Sequence, residues 1–310
     1  MRLTRLCQVI LVFIAVWPLA GCLFRSHKYE PQASTAPLKT ATQAELVAYV
    51  NSQAAKVQSM QATVDIDTSV GGAKRGKVTD YQSIRGYVLA RKPAMLRMIG
   101  LMPIVRNQAF DMVSNGQDFK LWIPSKNRFV EGRNDVETPN PKQPLENLRP
   151  QHIYDALLLR EIDTSSGEFA VMEPGVEMVK DEKGHPVQQP DYELNVIRPK
   201  GDNDHYISRK IVFSRTDLLP RRQIVYDENG NQQTDATYEG YDQYDGVNFP
   251  KQIEIRRPQE EYDITLTIVK LQLNAPLADD KFQLNQPPGA DVIHLNELRS
   301  QAKVTEAARK

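Results

Sequence analysis

Tyr262, Ile264, Leu266 and Ile268 alternate with Asp263, Thr265 and Thr267, and this period of two is the tightest constraint on the fold. Successive strand side chains point to opposite faces, so such a run presents one apolar surface and one polar surface. The pattern recurs along the chain. Ala62, Val64, Ile66 and Thr68 alternate with polar residues until Gly71-Gly72 ends the run. Strands are then expected over about Val78–Ala90, Met95–Gly100, Gln108–Ser114 and Asp118–Ile123, the last two joined by Asn115-Gly116. Asn-Gly supplies the positive φ angles of a two-residue hairpin turn. A second series holds Tyr192, Leu194 and Val196, then Ile207, Ile211 and Phe213, the Asn229-Gly230 turn, and the Tyr262–Leu273 strand. Two antiparallel meanders result, each with an apolar face that must be covered.

Two segments supply the cover. Leu46, Val50, Ala54 and Val57 recur at helical spacing, and Thr42 with Glu45 fits a capping box, which predicts a helix over about Ala41–Ser59. Gln151–Leu159 is expected to form a short central helix with Pro150 near its first turn. Between the meanders, Pro139, Pro141, Pro144 and Pro150 make 133–150 a rigid loop rather than a strand.

The N-terminus has a different logic. Arg2 and Arg5 precede an apolar run from Leu6 to about Trp17, and Leu19-Ala20-Gly21-Cys22 follows. A positive start, a short apolar stretch and a small-residue cleavage site describe a secretory signal peptide, since a spanning helix needs about 20 apolar residues. The four residues ending on Cys22 resemble the lipobox of signal peptidase II substrates. That resemblance implies cleavage between Gly21 and Cys22 and attachment of lipid to Cys22. Cys7 falls within the removed residues 1–21, so a mature chain keeps one cysteine and has no internal disulfide. Two or three acyl chains suffice for stable anchoring. Leu23, where an Asp retains enterobacterial lipoproteins at the inner membrane, favours the outer membrane. Residues 22–40 are a lipidated N-terminus and flexible tether, 41–295 the folded body, and 296–310 a polar tail.

Composition excludes several functions. Cleavage removes two arginines and no acid, leaving 37 basic against 39 acidic residues, so no nucleic-acid partner is expected. The five histidines, His27, His152, His185, His205 and His294, show no metal-ligand spacing, and neither metal nor cofactor is expected. No Gly-x-Ser-x-Gly elbow and no phosphate-cradling glycine loop is present. Asp202-Asn203-Asp204 reads as a polar turn, and the neighbouring acids Asp279-Asp280 and Glu260-Glu261 point to opposite faces if extended. An enzyme is not expected.

Three stretches, in this order, resemble the LolA/LolB superfamily of periplasmic lipoprotein carriers and receptors. The first is Val57–Ala62, where the leading helix runs into a strand. The second is Lys92–Arg97 leading to Gly100-Leu101-Met102-Pro103 and the Ser114-Asn115-Gly116 hairpin. The third is Leu277–Leu284 followed by Pro287–Ile293. The resemblance covers most of 41–295 and implies a mainly β (α+β) fold. In it a curved antiparallel half-barrel has its concave apolar face covered by the N-terminal and the short central helix. It also implies a cavity for acyl chains of lipoproteins or lipids, and a periplasmic carrier as a partner. The chain is longer than either type, mainly through 133–150 and 173–190.

Leu101-Met102-Pro103-Ile104-Val105 joins two strands where a connection should be polar. Exposing its four large side chains forgoes at most ~6–12 kcal/mol. Such a loop either engages a membrane or acyl chains, or folds under the sheet as core. Arg97, amid apolar residues, either meets a ligand headgroup at the cavity mouth or faces solvent on the outer side. Two functions remain: an anchored carrier or receptor for acyl chains at the envelope, or a non-catalytic scaffold lipoprotein that binds a protein.

Overall fold

A computed structural model describes residues 32–74, 76–135, 148–180, 183–201 and 203–295. The signal segment, Gly21, Cys22, His27, Asp202, most of the proline-rich loop and the 296–310 tail lie outside the described residues. Among the described residues the fold is mainly β, with a large, curved, non-closed sheet and two α-helices.

In chain order the elements are β1 (Gln32–Ala33), α1 (Gln43–Lys56), β2 (Ser59–Gly72), β3 (Lys77–Asp80), β4 (Ile84–Arg91), β5 (Met95–Leu101), β6 (Gln108–Ser114), β7 (Asp118–Ile123) and β8 (Arg128–Arg133). They continue with α2 (Pro150–Leu157), β9 (Phe169–Lys180), β10 (Pro186–Lys200), β11 (Asp204–Ser214), β12 (Pro220–Tyr226), β13 (Gln232–Tyr244), β14 (Val247–Arg257), β15 (Tyr262–Leu273) and β16 (Asp291–His294). Contacts group the chain into two units. Of the described residues the smaller holds 32–35, 177–180 and 183–189; within it β1 runs parallel to Val187-Gln188, and Ser34 N donates to Gln188 O at 2.7 Å. The 173–190 segment, expected as an insertion, contributes residues to β9 and β10, which pair with each other.

The larger unit, Ala36–Val176 and Pro190–Lys310, carries the sheet. Its order is β10-β11-β12-β13-β14-β15-β2-β4-β5-β6-β7-β8-β16, with β3 extending along β2. The two meanders are fused edge to edge where β15 pairs antiparallel with β2, Leu266 opposite Ile66. The register carries one face across the whole sheet. Leu194, Ile211, Ala236, Ile253, Leu266, Val64, Val88, Met98, Met112, Leu121 and Val130 all fall on it and are buried. The opposite face is polar and laced by cross-strand ion pairs, among them Arg85–Asp65 at 2.8 Å and Arg222–Asp235 at 2.6 Å.

Both helices pack on the apolar face. Leu46 and Val50 of α1 join Leu194, Val196, Ile211 and Phe213 at the β10–β11 end. Ile153, Tyr154 and Leu157 of α2 join the cluster built on β2, β5, β6, β14 and β15. α1 is shorter than expected at both ends but starts at its capping box, where Glu45 N donates to Thr42 Oγ1 and Thr42 N to Glu45 Oε2. Pro150 opens α2, where a missing N–H costs nothing. Tyr238 Oη and Gln223 Nε2 donate to the carbonyls of Ala156 and Asp155 at 3.1 and 3.0 Å, supplying partners to the far end of α2.

The expected single strand over Val78–Ala90 is divided into β3 and β4 by residues 81–83. Gly71-Gly72 closes the alternation of β2, but pairing continues through both, Gly71 opposite Val78 and Gly72 opposite Lys77; at φ +123 a Cβ on Gly71 would lie 2.0 Å from Lys77 O, so only glycine fits.

Candidate functional site: an apolar cavity and its exposed loop

The sheet residues opposite α2 leave a cavity of about 330 Å³. Its walls are Ile264, Ile66, Ile84, Met98, Met112 and Leu121 from the six neighbouring strands β15, β2, β4, β5, β6 and β7, with Ile153 of α2 above them. All six strand positions belong to the helix-bearing face, because register rather than sequence proximity places them together. Methionine is well suited to such a lining, being unbranched and able to follow the shape of what it touches. Gly86 and Gly100 oppose one another on this face, and Ile66, Ile84 and Phe110 close in over them. A Cβ on Gly100 would lie 2.4 Å from the Phe110 ring, so the absent side chain is what lets Phe110 seat there.

Polar groups gather on one side of the lining: Tyr81, Gln82, Ser125 and Lys126. Sequence reading missed all four. The signal available was negative, a three-residue break in the β3–β4 alternation, which turns Tyr81 and Gln82 toward the cavity. Ser125 and Lys126 sit on a single 3₁₀ turn after β7.

The Leu101–Val105 segment forms the β5–β6 connection at the same cavity. Leu101 ends β5 and is half-buried, and Met102 and Pro103 line the cavity. Ile104 is 99 % exposed and Val105 66 %. The turn is closed by Met102 N donating to Asn107 O (2.7 Å) and Arg106 N to Met102 O (3.1 Å). Ile104 has φ +67, a left-handed conformation that a β-branched side chain adopts only against steric resistance. One residue thus carries two costs, about 1–3 kcal/mol of backbone strain and an apolar side chain left in water.

Arg97 lies on the polar face, turned away from this cavity. Its Nε and Nη2 bind the two carboxylate oxygens of buried Asp111 at 3.0 and 2.7 Å, and Nη1 donates to Lys281 O at 3.0 Å. That carbonyl belongs to a strap, Leu277–Ala290, crossing the polar face to β16, which pairs parallel with β8. Arg91 holds the same strap through Leu277 O, Asp279 and the Phe282 ring, 5.1 Å from its guanidinium carbon.

The other charged candidates are also committed to partners. Glu260 pairs with Arg257, and Glu261 accepts from Lys74 N at 2.5 Å. Burial, with Arg257 and Arg149 nearby, holds His152 well below the usual imidazole range. Among the described residues no cluster of His, Cys, Asp and Glu could hold a metal ion, and no helix is long and apolar enough to cross a membrane.

Solved structures of similar architecture include a DUF1329 family protein from Desulfovibrio piger, 16% identical, covering 78% of this chain and 95% of its own, with a TM-score of 0.48. A LolA superfamily protein from Nitrosomonas europaea is 15% identical, covering 79% and 99%, with a TM-score of 0.45. A third structure, a "putative outer membrane lipoprotein-sorting protein domain" from Vibrio parahaemolyticus, is 15% identical, covers 78% and 97%, and has a TM-score of 0.45. A family model described as "-like: Uncharacterized protein" matches residues 175–286. No curated protein sequence matches the chain.

Proposed function

We propose that this protein is a lipid-anchored envelope protein, held at the outer membrane through Cys22, that takes acyl chains of lipoproteins or lipids into the cavity beneath α2. In this reading the helix-bearing face is the concave lining of a half-barrel, and the β5–β6 loop is the part that meets the membrane. The observation that carries it is Ile104: strained at φ +67, 99 % exposed, and one residue beyond the cavity-lining Met102-Pro103. Apolar surface that costs free energy in water is worth keeping where it will be buried in a bilayer. From a membrane-embedded loop, an acyl chain has a short apolar path past Met102 and Pro103 to Met98 and Met112.

The test uses the full chain carrying Cys22→Ala, so that no anchor masks the loop. It should sediment with liposomes, and the same chain with Leu101→Asp and Ile104→Asp should lose most of that binding while melting cooperatively. Equal sedimentation of the two would sink the role of the loop.

A further inference from the structure

α2 separates the apolar cavity from a second one. Gln151 and Asp155 project about 160° around the helix from Ile153, and they line a cavity of about 230 Å³ against β10, β11 and β12. This chamber is polar. Arg209 of β11 is 3 % exposed; its Nη1 and Nη2 donate to Arg160 O and Glu161 O at 2.6 and 2.7 Å, pinning the chain that leaves α2. Those bonds explain why the residue is there, but they leave its Nε–H buried with no partner. Gln223, also 3 % exposed, donates to Asp155 O, and Gln151 donates to Asp155 Oδ1 at 2.8 Å; the Oε1 atoms of both glutamines are buried and unpaired. One unused guanidinium donor and two unused amide acceptors therefore belong to residues that line one cavity. Each buried polar atom left unsatisfied costs about 1–3 kcal/mol, so their convergence points to something that carries acceptors and donors together.

Charge narrows the class. Arg160, Arg198 and Arg209 line the chamber against Asp155, with Glu168 beside it accepting from Arg198 Nε and ion-paired with Arg160 through the same oxygen, Oε1. Positive charge is in excess, and Arg198, bound to Glu168 through Nε alone, keeps both Nη groups for another partner. Burial pushes the Asp155 carboxyl up to about 6, against the pull of Gln151, Arg209 and Arg198. A guanidinium fork matches a phosphate in geometry and charge.

We propose that this chamber binds a phosphate group, its oxygens on Arg198 and the Nε–H of Arg209, with an adjacent donor on the Oε1 atoms of Gln151 and Gln223. That donor is either the ammonium of a phosphoethanolamine headgroup or the O–H of free hydrogen phosphate. The site is independent of the acyl-chain reading, since it shares no lining residue with the apolar cavity.

Calorimetric titration of the full chain with phosphoethanolamine and with inorganic phosphate tests it. Saturable binding of either supports the site. At least tenfold tighter phosphoethanolamine assigns it to a headgroup, and equal binding assigns it to free phosphate. Arg198→Gln should weaken binding at least tenfold. Because that change also strips a partner from buried Glu168, Val225→Glu serves as the second variant: it is half-buried in the lining and adds a like charge without touching an ion pair. No saturable binding of either compound to the unsubstituted chain overturns the proposal, as does binding that survives both substitutions unchanged.

Discussion

Ile104 concentrates the functional argument in one residue, and its two costs can be separated by substitution. Glycine accepts φ +67 without a Cβ clash, so Ile104→Gly relieves the strain while removing the exposed apolar surface. The expected outcome is a chain about 1 kcal/mol more stable in urea unfolding that binds liposomes less well. A gain in one property with a loss in the other marks a residue kept for binding rather than folding. Asp155 gives a second prediction at this scale. Its carboxyl is raised to about 6 in the folded chain, so between about pH 4 and 6 the folded state holds more protons than the unfolded one. Stability from this group is present below about pH 4 and is lost as pH rises through 6. Asp155→Asn removes that loss. The variant should exceed the parent by about 1–3 kcal/mol at pH 7.5 and show no advantage at pH 4, as read from thermal melts at both values.

Among the elements, the Leu277–Ala290 strap has the clearest structural duty. The stretch that carried a family likeness in sequence turns out to clamp the polar face, and the Arg97 guanidinium is spent on that clamp. Phe282 is buried under Arg91, whereas the Asp279 carboxylate that also meets Arg91 is 82 % exposed. Phe282→Ala should therefore cost about 3–5 kcal/mol, and Asp279→Ala no more than about 1 kcal/mol, measured by denaturant unfolding. Helix α2 is held differently. Its far carbonyls are met by Gln223 and Tyr238 from the sheet, so the helix is fixed in place over a cavity instead of filling it.

For the molecule as a whole, the proposed anchor and cavity make linked demands. Acylation at Cys22 should send the chain to the membrane fraction, and Cys22→Ala should release it to the soluble periplasm. Mass spectrometry of that released protein, purified without detergent, should find bound lipid. A protein found lipid-free, with its interior collapsed, would favour the scaffold reading, in which the sheet meets another protein.

Much of this was legible in the residues alone. Period two marked β2, β10, β11 and β15, Thr42 with Glu45 marked the start of α1, and Pro150 marked the start of α2, because each is a local interaction that sequence spacing encodes directly. The Leu101–Val105 segment stood out for the same reason, as apolar residues where a turn should be. What local pattern cannot carry is which strands become neighbours. The β15–β2 pairing joins residues nearly two hundred positions apart, and only that register sets Ile264 beside Ile66 in one cavity wall. The face on which Arg97 falls was likewise decided by its partner Asp111 across the β5–β6 ladder. The polar chamber behind α2 left no trace in sequence, since its arginines and glutamines come from α2, the connection after it and three strands, and look there like ordinary surface residues. The chain alone determined its periodicities, caps and greasy loop. The tertiary structure decided which side chains share a cavity, because burial and charge pairing depend on distances that only the folded sheet creates.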